Sequence, residues 1–140
     1  MRSLEVPPIA LDRVWPLVAP WIARALEKGC SEHSLAFVRW HLWHNDMRLF
    51  LAWDDKAKKA LGCYILEFAE GERGKCCHIF LASGVNFKTW RHLIEDIKTY
   101  ARAQGCARLE AGGRFGWERL LARDGWTKLK VILEMRLDDA

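Results

Sequence analysis

The spacing of hydrophobic residues near the start of the chain is that of an amphipathic helix. From Asp12 to Gly29, apolar residues recur three and four positions apart, which would give a helix one apolar face. We expect Asp12 to cap this helix and Gly29 to end it. Pro16 and Pro20 require a kink or a late start. A second helix, capped by Ser31, is expected next. Its apolar face comprises Leu35, Val38 and Leu42.

The middle of the chain changes to a period of two, as in half-buried strands. Three strands are expected, over residues 47–53, 61–68 and 75–83. The middle one is apolar on both faces, which favours a central position in a sheet. Only short turns separate the three, so the pattern predicts an antiparallel meander.

The last third of the chain alternates helix and strand. Asn86 is expected to cap a long helix that Gly105 ends. Its apolar stripe is Trp90, Leu93, Ile94, Ile97 and Ala101. Residues 106–111 then read as a strand, Gly112 and Gly113 as a turn, and 117–121 as a short helix ended by Gly125. A closing strand is expected in which Leu129, Val131, Leu133, Met135 and Leu137 alternate with Lys130, Glu134 and Arg136.

The predicted order of elements is (β)ααβββαβαβ, with an optional leading strand within residues 1–10. This order indicates the α/β (α+β) class, with a mixed, mostly antiparallel central sheet flanked by helices. The 140 residues fit one domain, residues 1–140.

Composition indicates in which compartment the protein is expected, but it says little about the reaction it could catalyse. The net charge of +4 permits an acidic partner without implying one. The five cysteines show no repeated CxxC spacing, which favours free thiols in a reducing compartment. No signal peptide is expected, because Arg2, Glu5 and Asp12 interrupt the early apolar residues. No membrane span is expected, because the longest uncharged early run, residues 14–23, is too short to cross a bilayer and holds two prolines. The protein is therefore expected not to be secreted and not to bind a membrane.

Eight tryptophans raise the question of partners. Trp15, Trp21, Trp40 and Trp43 are candidates for a protein interface, because aromatic anchors dominate such surfaces. Core packing is the alternative for each of them. Basic residues near Trp117 and Trp126 could contact single-stranded nucleic acid, although interspersed acidic residues weaken that prediction. These basic residues are Arg114, Arg119, Arg123, Lys128 and Lys130.

The order of elements resembles the GNAT acyltransferase fold over nearly the whole chain. Residues 120–126, LLARDGW, are similar to the family signature of leucine, tyrosine, two or three residues, glycine and phenylalanine. Residues 113–119, GRFGWER, look most like small GNAT-like proteins of tailed bacteriophages. The resemblance implies a GNAT fold and a host-cytoplasmic protein, found also in the virion if it assembles there.

The resemblance also implies where acyl-coenzyme A would bind. In the family, a glycine-rich loop after the fourth strand places backbone N–H groups on the pyrophosphate at a helix N-terminus. The matching positions are Ser83, Gly84, Val85, Asn86 and Lys88, with a single glycine among them. A tyrosine acid would correspond to Leu121, and an asparagine after the fifth strand to the Gly112–Gly113–Arg114 segment. The cofactor site is therefore expected to be degenerate, holding either acetyl- or acyl-coenzyme A or no cofactor.

Three residues on the predicted strands are candidates for acid–base chemistry. Glu67 and His78 are the predicted bases, and Glu110 is a further candidate. The alternative is a solvated strand face for the glutamates and a hydrogen-bonded, half-buried histidine. Cys76 and Cys77 would point to opposite sides of a strand, so a metal site is not expected. Either cysteine would need an activating partner to act as a nucleophile.

Two functions of different classes remain open. The first is a GNAT-fold accessory protein of phage type, without ordinary acetyltransferase activity, that acts in virion structure, assembly or protein interaction. Its partners would be other virion proteins or a second copy of itself. The alternative is an acyl-coenzyme A-dependent N-acyltransferase with an atypical pyrophosphate loop and an unknown amine substrate.

Overall fold

The computed structural model describes residues 1–29, 32–112 and 121–137. Five strands form one sheet in the order β1-β2-β3-β4-β5. The first four run antiparallel to their neighbours, and β5 runs parallel to β4. The predicted meander and leading strand are confirmed. The strands are β1 (Arg2–Val6), β2 (Met47–Asp54), β3 (Lys59–Gly71), β4 (Gly74–Gly84) and β5 (Arg108–Ala111).

Helices cover both faces of this sheet. The helices are α1 (Leu11–Lys28), α2 (Leu35–Trp43), α3 (Phe87–Trp90) and α4 (Ile94–Ala103). A 3-10 turn (Pro8–Ala10) precedes α1, and a second one (Arg91–Leu93) joins α3 to α4. None of the helices in the described part of the chain is long and apolar enough to cross a bilayer.

The first helix begins one residue before the predicted cap. Ala10 occupies the cap position and Asp12 lies in the first turn, so the prediction for Asp12 was wrong. Pro16 and Pro20 both lie inside the single helix. Each proline removes one intrahelical donor. Both prolines are exposed, so water can hydrate the carbonyl groups that lose their partners.

The second helix is capped by Ser34, whose Oγ accepts a hydrogen bond from the N–H of Phe37 at 3.1 Å. The predicted cap, Ser31, lies outside the described residues. Helices α1 and α2 pack on one face of the sheet through a first cluster of buried residues. These are Leu11, Val18, Ile22, Leu26, Val38, Leu42, Met47, Leu49, Leu51, Ala60, Cys63, Ile65 and Leu81.

The other face of the sheet packs against α3 and α4. The predicted stripe from Trp90 to Ala101 is buried there, but the 3-10 turn divides the helix that should carry it. Asn86 is left-handed, with φ 52°, and its side chain makes no capping hydrogen bond, so it does not cap as predicted. This second cluster contains Phe50, Ala52, Leu61, Tyr64, Leu66, Cys77, Ile79, Trp90, Leu93, Ile94, Ile97, Ala101 and Leu121.

The C-terminal region differs from its prediction. Gly125 has φ 86° and ends a helical turn as expected. The predicted helix residues 117–120 lie outside the described residues. The prediction of a closing strand over 129–137 was wrong, because those residues form no strand and are exposed. An alternating segment needs a neighbouring strand to become one, and none of the described residues provides it.

Candidate active site

The three acid–base candidates form one row across the sheet. Glu67 pairs with His78 between β3 and β4, and His78 pairs with Glu110 between β4 and β5. Adjacent strands lie about 4.8 Å apart, so the row spans about 10 Å. All three side chains are half-buried, on the face that carries the first cluster. The register of the sheet therefore places side by side three residues that the sequence identified only as separate candidates.

Each end of the row is bounded by a different side chain. Met47, which is buried, pairs with Glu67. At the other end, Nη1 of Arg108 donates to Oε1 of Glu110 at 2.7 Å. The Nε of Arg108 is buried with no acceptor among the described residues. The carboxylate of Glu110, held by Arg108, therefore lies beside His78. The buried Nε donor of Arg108, which has no described acceptor, lies next to it.

The pairing of β4 with β5 ends next to this row. The described residues of the two strands pair from Cys76 and Arg108 to Ile79 and Ala111, while β4 continues to Gly84. Residues 80–84 of β4 therefore have no partner on the β5 side in the described part of the chain, and this stretch is called here the unpaired edge of β4. The backbone of Gly112 stays close to the histidine, because a Cβ placed there would lie 3.8 Å from Cε1 of His78.

A β-bulge lies in β4 at the start of this unpaired edge. The register shifts between Ile65 and Leu66, whose partners are Leu81 and Ile79, so Phe80 is the extra residue. The bulged residue has no partner in the ladder. A bulge re-aims side chains and leaves backbone groups available, and bulges are frequent next to active sites.

The turn predicted to hold pyrophosphate is partly engaged in packing. The N–H of Val85 donates to the carbonyl of Leu61 at 2.7 Å. Gly84 has φ 151°, and a Cβ there would lie 2.3 Å from the Cα of Gly62. Gly84 and Val85 are thus packed closely against β3. Asn86 and Lys88 are exposed at the start of α3 and face no such constraint.

Two spaces lie beside this turn. An apolar cavity of about 20 Å³ is lined by Phe87, Trp90 and Ile79, among others, and has room for about one water molecule. An open groove of about 650 Å³ lies against Asn86, Lys56 and Lys59. That volume is in the range of ligand sites, so a ligand at this turn would have to use the open side.

The thiols and phenols near the site are not poised for catalysis. Burial raises the pKa of Cys77 to about 12, and burial followed by the nearby Glu110 raises that of Cys76. Both remain thiols at neutral pH and are poor nucleophiles. Burial also raises the pKa of Tyr64, whose hydroxyl donates to Oγ of Ser3 at 2.7 Å. Leu121, at the place of the family tyrosine, is buried in the second cluster.

Metal ligands do not assemble in the described part of the chain. Among residues 1–29, 32–112 and 121–137, no three His, Cys, Asp or Glu side chains lie close enough together to hold an ion.

The fold is shared with acetyltransferases of known structure. A probable acetyltransferase matches 100% of this chain and 99% of its own, at a TM-score of 0.71 and 15% identity. A ribosomal-protein-alanine N-acetyltransferase from Brucella melitensis biovar Abortus 2308 matches 98% of this chain and 100% of its own, at 0.71 and 11%. This chain has the GNAT fold.

A third solved structure extends the comparison to small-molecule acceptors. An aminoglycoside acetyltransferase from an uncultured soil metagenomic sample, in complex with sisomicin, matches 98% of this chain and 96% of its own. Its TM-score is 0.70 and its identity 14%. No family model matches the sequence, and a search of the curated proteins finds no match. At these identities the likeness establishes the fold; the predicted phage origin stays a prediction.

The structure allows a test of whether acyl-coenzyme A, which this fold implies, fits the residues present. The unpaired edge of β4 and the bulge at Phe80 leave backbone groups to which an extended acyl-carrying chain can hydrogen-bond. The turn suits the pyrophosphate less well, because the N–H of Val85 is engaged. Asn86 and Lys88 are the turn residues left to contact phosphate. The groove against Asn86 is lined by Lys56 and Lys59 but also by Asp54 and Asp55, whose carboxylates oppose an anion.

Sequence reasoning missed two features of this site. Arg108 was not singled out, although its place two residues before Glu110 puts both side chains on the same face of a strand. The bulge at Phe80 could not be found, because apolar residues on both sides of the position hide the change of period.

Proposed function

We propose that this protein is an acyl-coenzyme A-dependent N-acyltransferase. The observation that carries the proposal is the row of Glu67, His78 and Glu110 beside the unpaired edge of β4. Acetyltransferases with other acceptors share the fold. A fold alone is a weak guide to activity, so the proposal rests on the row and on the unpaired edge of β4 beside it.

In this proposal, acyl-coenzyme A supplies the acyl group as a thioester. The amine nitrogen attacks the thioester carbon, a C–N bond forms, and the C–S bond breaks. His78 or Glu67 takes the proton that the amine loses, directly or through one water molecule. Glu110, held by Arg108, attracts the ammonium form of the acceptor. The departing thiolate takes a proton from water, and the base returns the amine's proton to the hydroxide that this leaves, so no net charge is created. A thiol with an ordinary pKa of about 8.5 stays mostly protonated at neutral pH.

Acetyl transfer tests the assignment of the base. With acetyl-coenzyme A and a panel of amines and aminoglycosides, thiol release should be lost on His78→Asn or Glu67→Gln. A general base contributes roughly 10²–10⁴-fold, so kcat/KM for the residue that acts should fall by that factor. The matched control is Glu70→Gln, an exposed glutamate near the end of β3, which should leave kcat/KM unchanged. If neither row variant changes the rate, the assigned base is wrong.

The turn is tested separately, by binding. Lys88→Gln should weaken acetyl-coenzyme A binding about tenfold, because a charged contact with phosphate is lost. Lys28→Gln, at the end of α1, serves as the control and should leave affinity unchanged. Equal affinities in all three proteins would show that Lys88 does not contact the phosphates.

The accessory role in a phage virion or its assembly stays a prediction. It requires a non-catalytic protein, and Leu121 in place of a tyrosine acid agrees with it. The named structures to which this fold is similar are acetyltransferases, which favours the enzymatic alternative. Trp40 and Trp43 are exposed on α2 and remain candidates for contact with a partner protein.

A further inference from the structure

Arg108 has hydrogen-bond donors that the described part of the chain does not use. Its Nη1 donates to Oε1 of Glu110 at 2.7 Å. Its Nε is buried and has no partner among the described residues. Its Nη2 forms neither a hydrogen bond nor an ion pair with a described residue, and the side chain is 28% exposed. Nε and Nη2 lie along one edge of the planar guanidinium group, so this whole edge lacks an acceptor.

A buried donor without an acceptor destabilises a protein, so the unused edge of Arg108 needs a physical reason. Arg48 also has a buried Nε without a described partner. The guanidinium of Arg48 lies 5.5 Å from the ring centroid of Phe68 and is attracted by the face of that ring. In the described part of the chain, no aromatic ring lies over the guanidinium of Arg108 in this way. A bound ligand would offset the cost at Arg108 instead.

The surroundings of Arg108 supply no second anion. Its partner on β4 is Cys76, and burial raises the pKa of this thiol, which therefore stays neutral at physiological pH. Glu110 is already bound through Nη1. Among the described residues, no other carboxylate forms an ion pair with Arg108. The missing acceptor is therefore expected on a ligand.

The unused edge fits a carboxylate. Two parallel N–H groups of arginine match the two oxygens of a carboxylate in a bidentate pair. Negative charge for an ammonium group lies beside it, because Glu110 borders His78 in the row and Glu67 has no ion-pair partner in the described part of the chain. Nη1 of Arg108 and Oε1 of Glu110 are 2.7 Å apart, so a ligand that uses both residues must carry its two charged groups close together. An α-amino acid carries them on one carbon atom.

We propose that the acyl acceptor is the α-amino group of a free amino acid, and that Arg108 selects this acceptor by binding its carboxylate. The proposal rests on the proposed N-acyltransferase function and names its substrate class. The amine nitrogen forms the C–N bond as the C–S bond of the thioester breaks, and the amine proton passes to the base in the row. The products are an N-acyl amino acid and the coenzyme A thiol, with the carboxylate unchanged. A peptide N-terminus has a neutral carbonyl group in place of that carboxylate and is a poorer acceptor.

Pairs of each common L-amino acid and its α-carboxamide test the selection, because the two members differ only in the carboxylate. With acetyl-coenzyme A as donor, kcat/KM for thiol release should be at least ~10-fold higher for the best amino acid than for its amide. Arg108→Gln should bring this ratio to about one, and Arg108→Lys, which keeps the charge without the two parallel donors, should give an intermediate ratio.

Two further variants separate carboxylate binding from the positioning of Glu110. Glu110→Gln should lower kcat/KM for the acid and the amide together and keep their ratio. Arg102→Gln, at an exposed arginine in the last turn of α4, should leave both values unchanged. Equal kcat/KM for acid and amide in the wild type would overturn the proposal but leave the N-acyltransferase function intact. An Arg108→Gln variant that loses activity toward both in equal proportion would also overturn it, because Arg108 would then only position Glu110.

Calorimetric titration with the amino acids, with and without coenzyme A, distinguishes failure of this proposal from failure of the proposed function. If no amine is acylated, the N-acyltransferase function is wrong. An amino acid that binds the wild type but neither its amide nor the Arg108→Gln variant would still support the carboxylate site. If no amino acid binds in either titration, the carboxylate site is wrong as well.

Discussion

Among single residues, the contact between Gly62 and Trp90 fixes how β4 leads into α3. The indole of Trp90 is 2% exposed, and its Nε1 donates to the carbonyl of Val85 at 2.9 Å. A Cβ on Gly62 would lie 2.5 Å from Cζ2 of Trp90 and 2.6 Å from the carbonyl oxygen of Ser83. Glycine is thus required here by close packing, and it sets the position of the turn beside the candidate site.

Gly62→Ala should therefore destabilise the protein. Overpacking a filled core costs about 1–3 kcal/mol, because the indole must shift or β4 must separate from β3. Gly71→Ala is the matched control in the same strand, since nothing lies within 4 Å of the added methyl group. It should change stability by no more than about 0.5 kcal/mol. Urea unfolding measures both variants, and equal midpoints would contradict the packing described.

The buried thiol of Cys63 predicts an alkaline loss of stability. Burial raises its pKa to about 12, whereas an unfolded cysteine titrates near 8.5. Between these values the unfolded chain loses a proton that the folded chain keeps. The unfolding free energy therefore falls as pH rises, by up to ~1.4 kcal/mol per pH unit.

Denaturation under reducing conditions at pH 8, 9 and 10 measures this slope. Cys63→Ala should lower stability at pH 8 but make the slope shallower. Cys106→Ala, at a half-exposed cysteine, should keep the wild-type slope. A slope unchanged by Cys63→Ala would mean that this thiol does not couple folding to pH.

Among the helices and strands, α2 depends on its cap because it is short. Its nine residues are fewer than the ~12–15 that an isolated helix needs to be marginally stable. Ser34 satisfies one of the free N–H groups at its start. The helix then holds Val38 and Leu42 in the first cluster.

Ser34→Ala should cost about 1 kcal/mol of unfolding free energy, and Ser34→Asp should retain most of it. Thermal unfolding of the two variants beside the wild type makes the comparison. Equal losses in the two variants would indicate that capping is not the role of this side chain.

These elements also show where prediction from sequence succeeds. The meander of β2, β3 and β4 was predictable because apolar strand-length runs, charged turns and short connections agree. The cap of α2 was not predictable, because Ser31 and Ser34 both precede the same apolar run and the sequence does not show which of them caps the helix. The helix after β4 was divided by a 3-10 turn over Arg91–Leu93, which its uninterrupted apolar stripe conceals.

The candidate site was predictable as residue types but not as an arrangement. Glu67, His78 and Glu110 were identifiable from their strands. Their alignment depends on a register that passes a bulge at Phe80, and one residue of slip moves side chains to the opposite face. The prediction of a closing strand over 129–137 was wrong for a related reason, because an alternating pattern does not show which strand it would pair with.

In the molecule as a whole, the GNAT fold, the row and the unpaired edge of β4 support the same function. The proposed function places an acyl-coenzyme A thioester along that edge, beside Glu67, His78 and Glu110. Binding of the ligand is therefore the step on which the proposed function depends.

The melting temperature of the full chain with and without millimolar acetyl-coenzyme A tests that step most directly. Ligand at ~100 times its dissociation constant adds about 2.7 kcal/mol, which raises Tm by several degrees in a chain of this size. The proposed function predicts this rise in Tm for the wild type and a smaller rise for the Lys88→Gln variant. An unchanged Tm at millimolar acetyl-coenzyme A would contradict it.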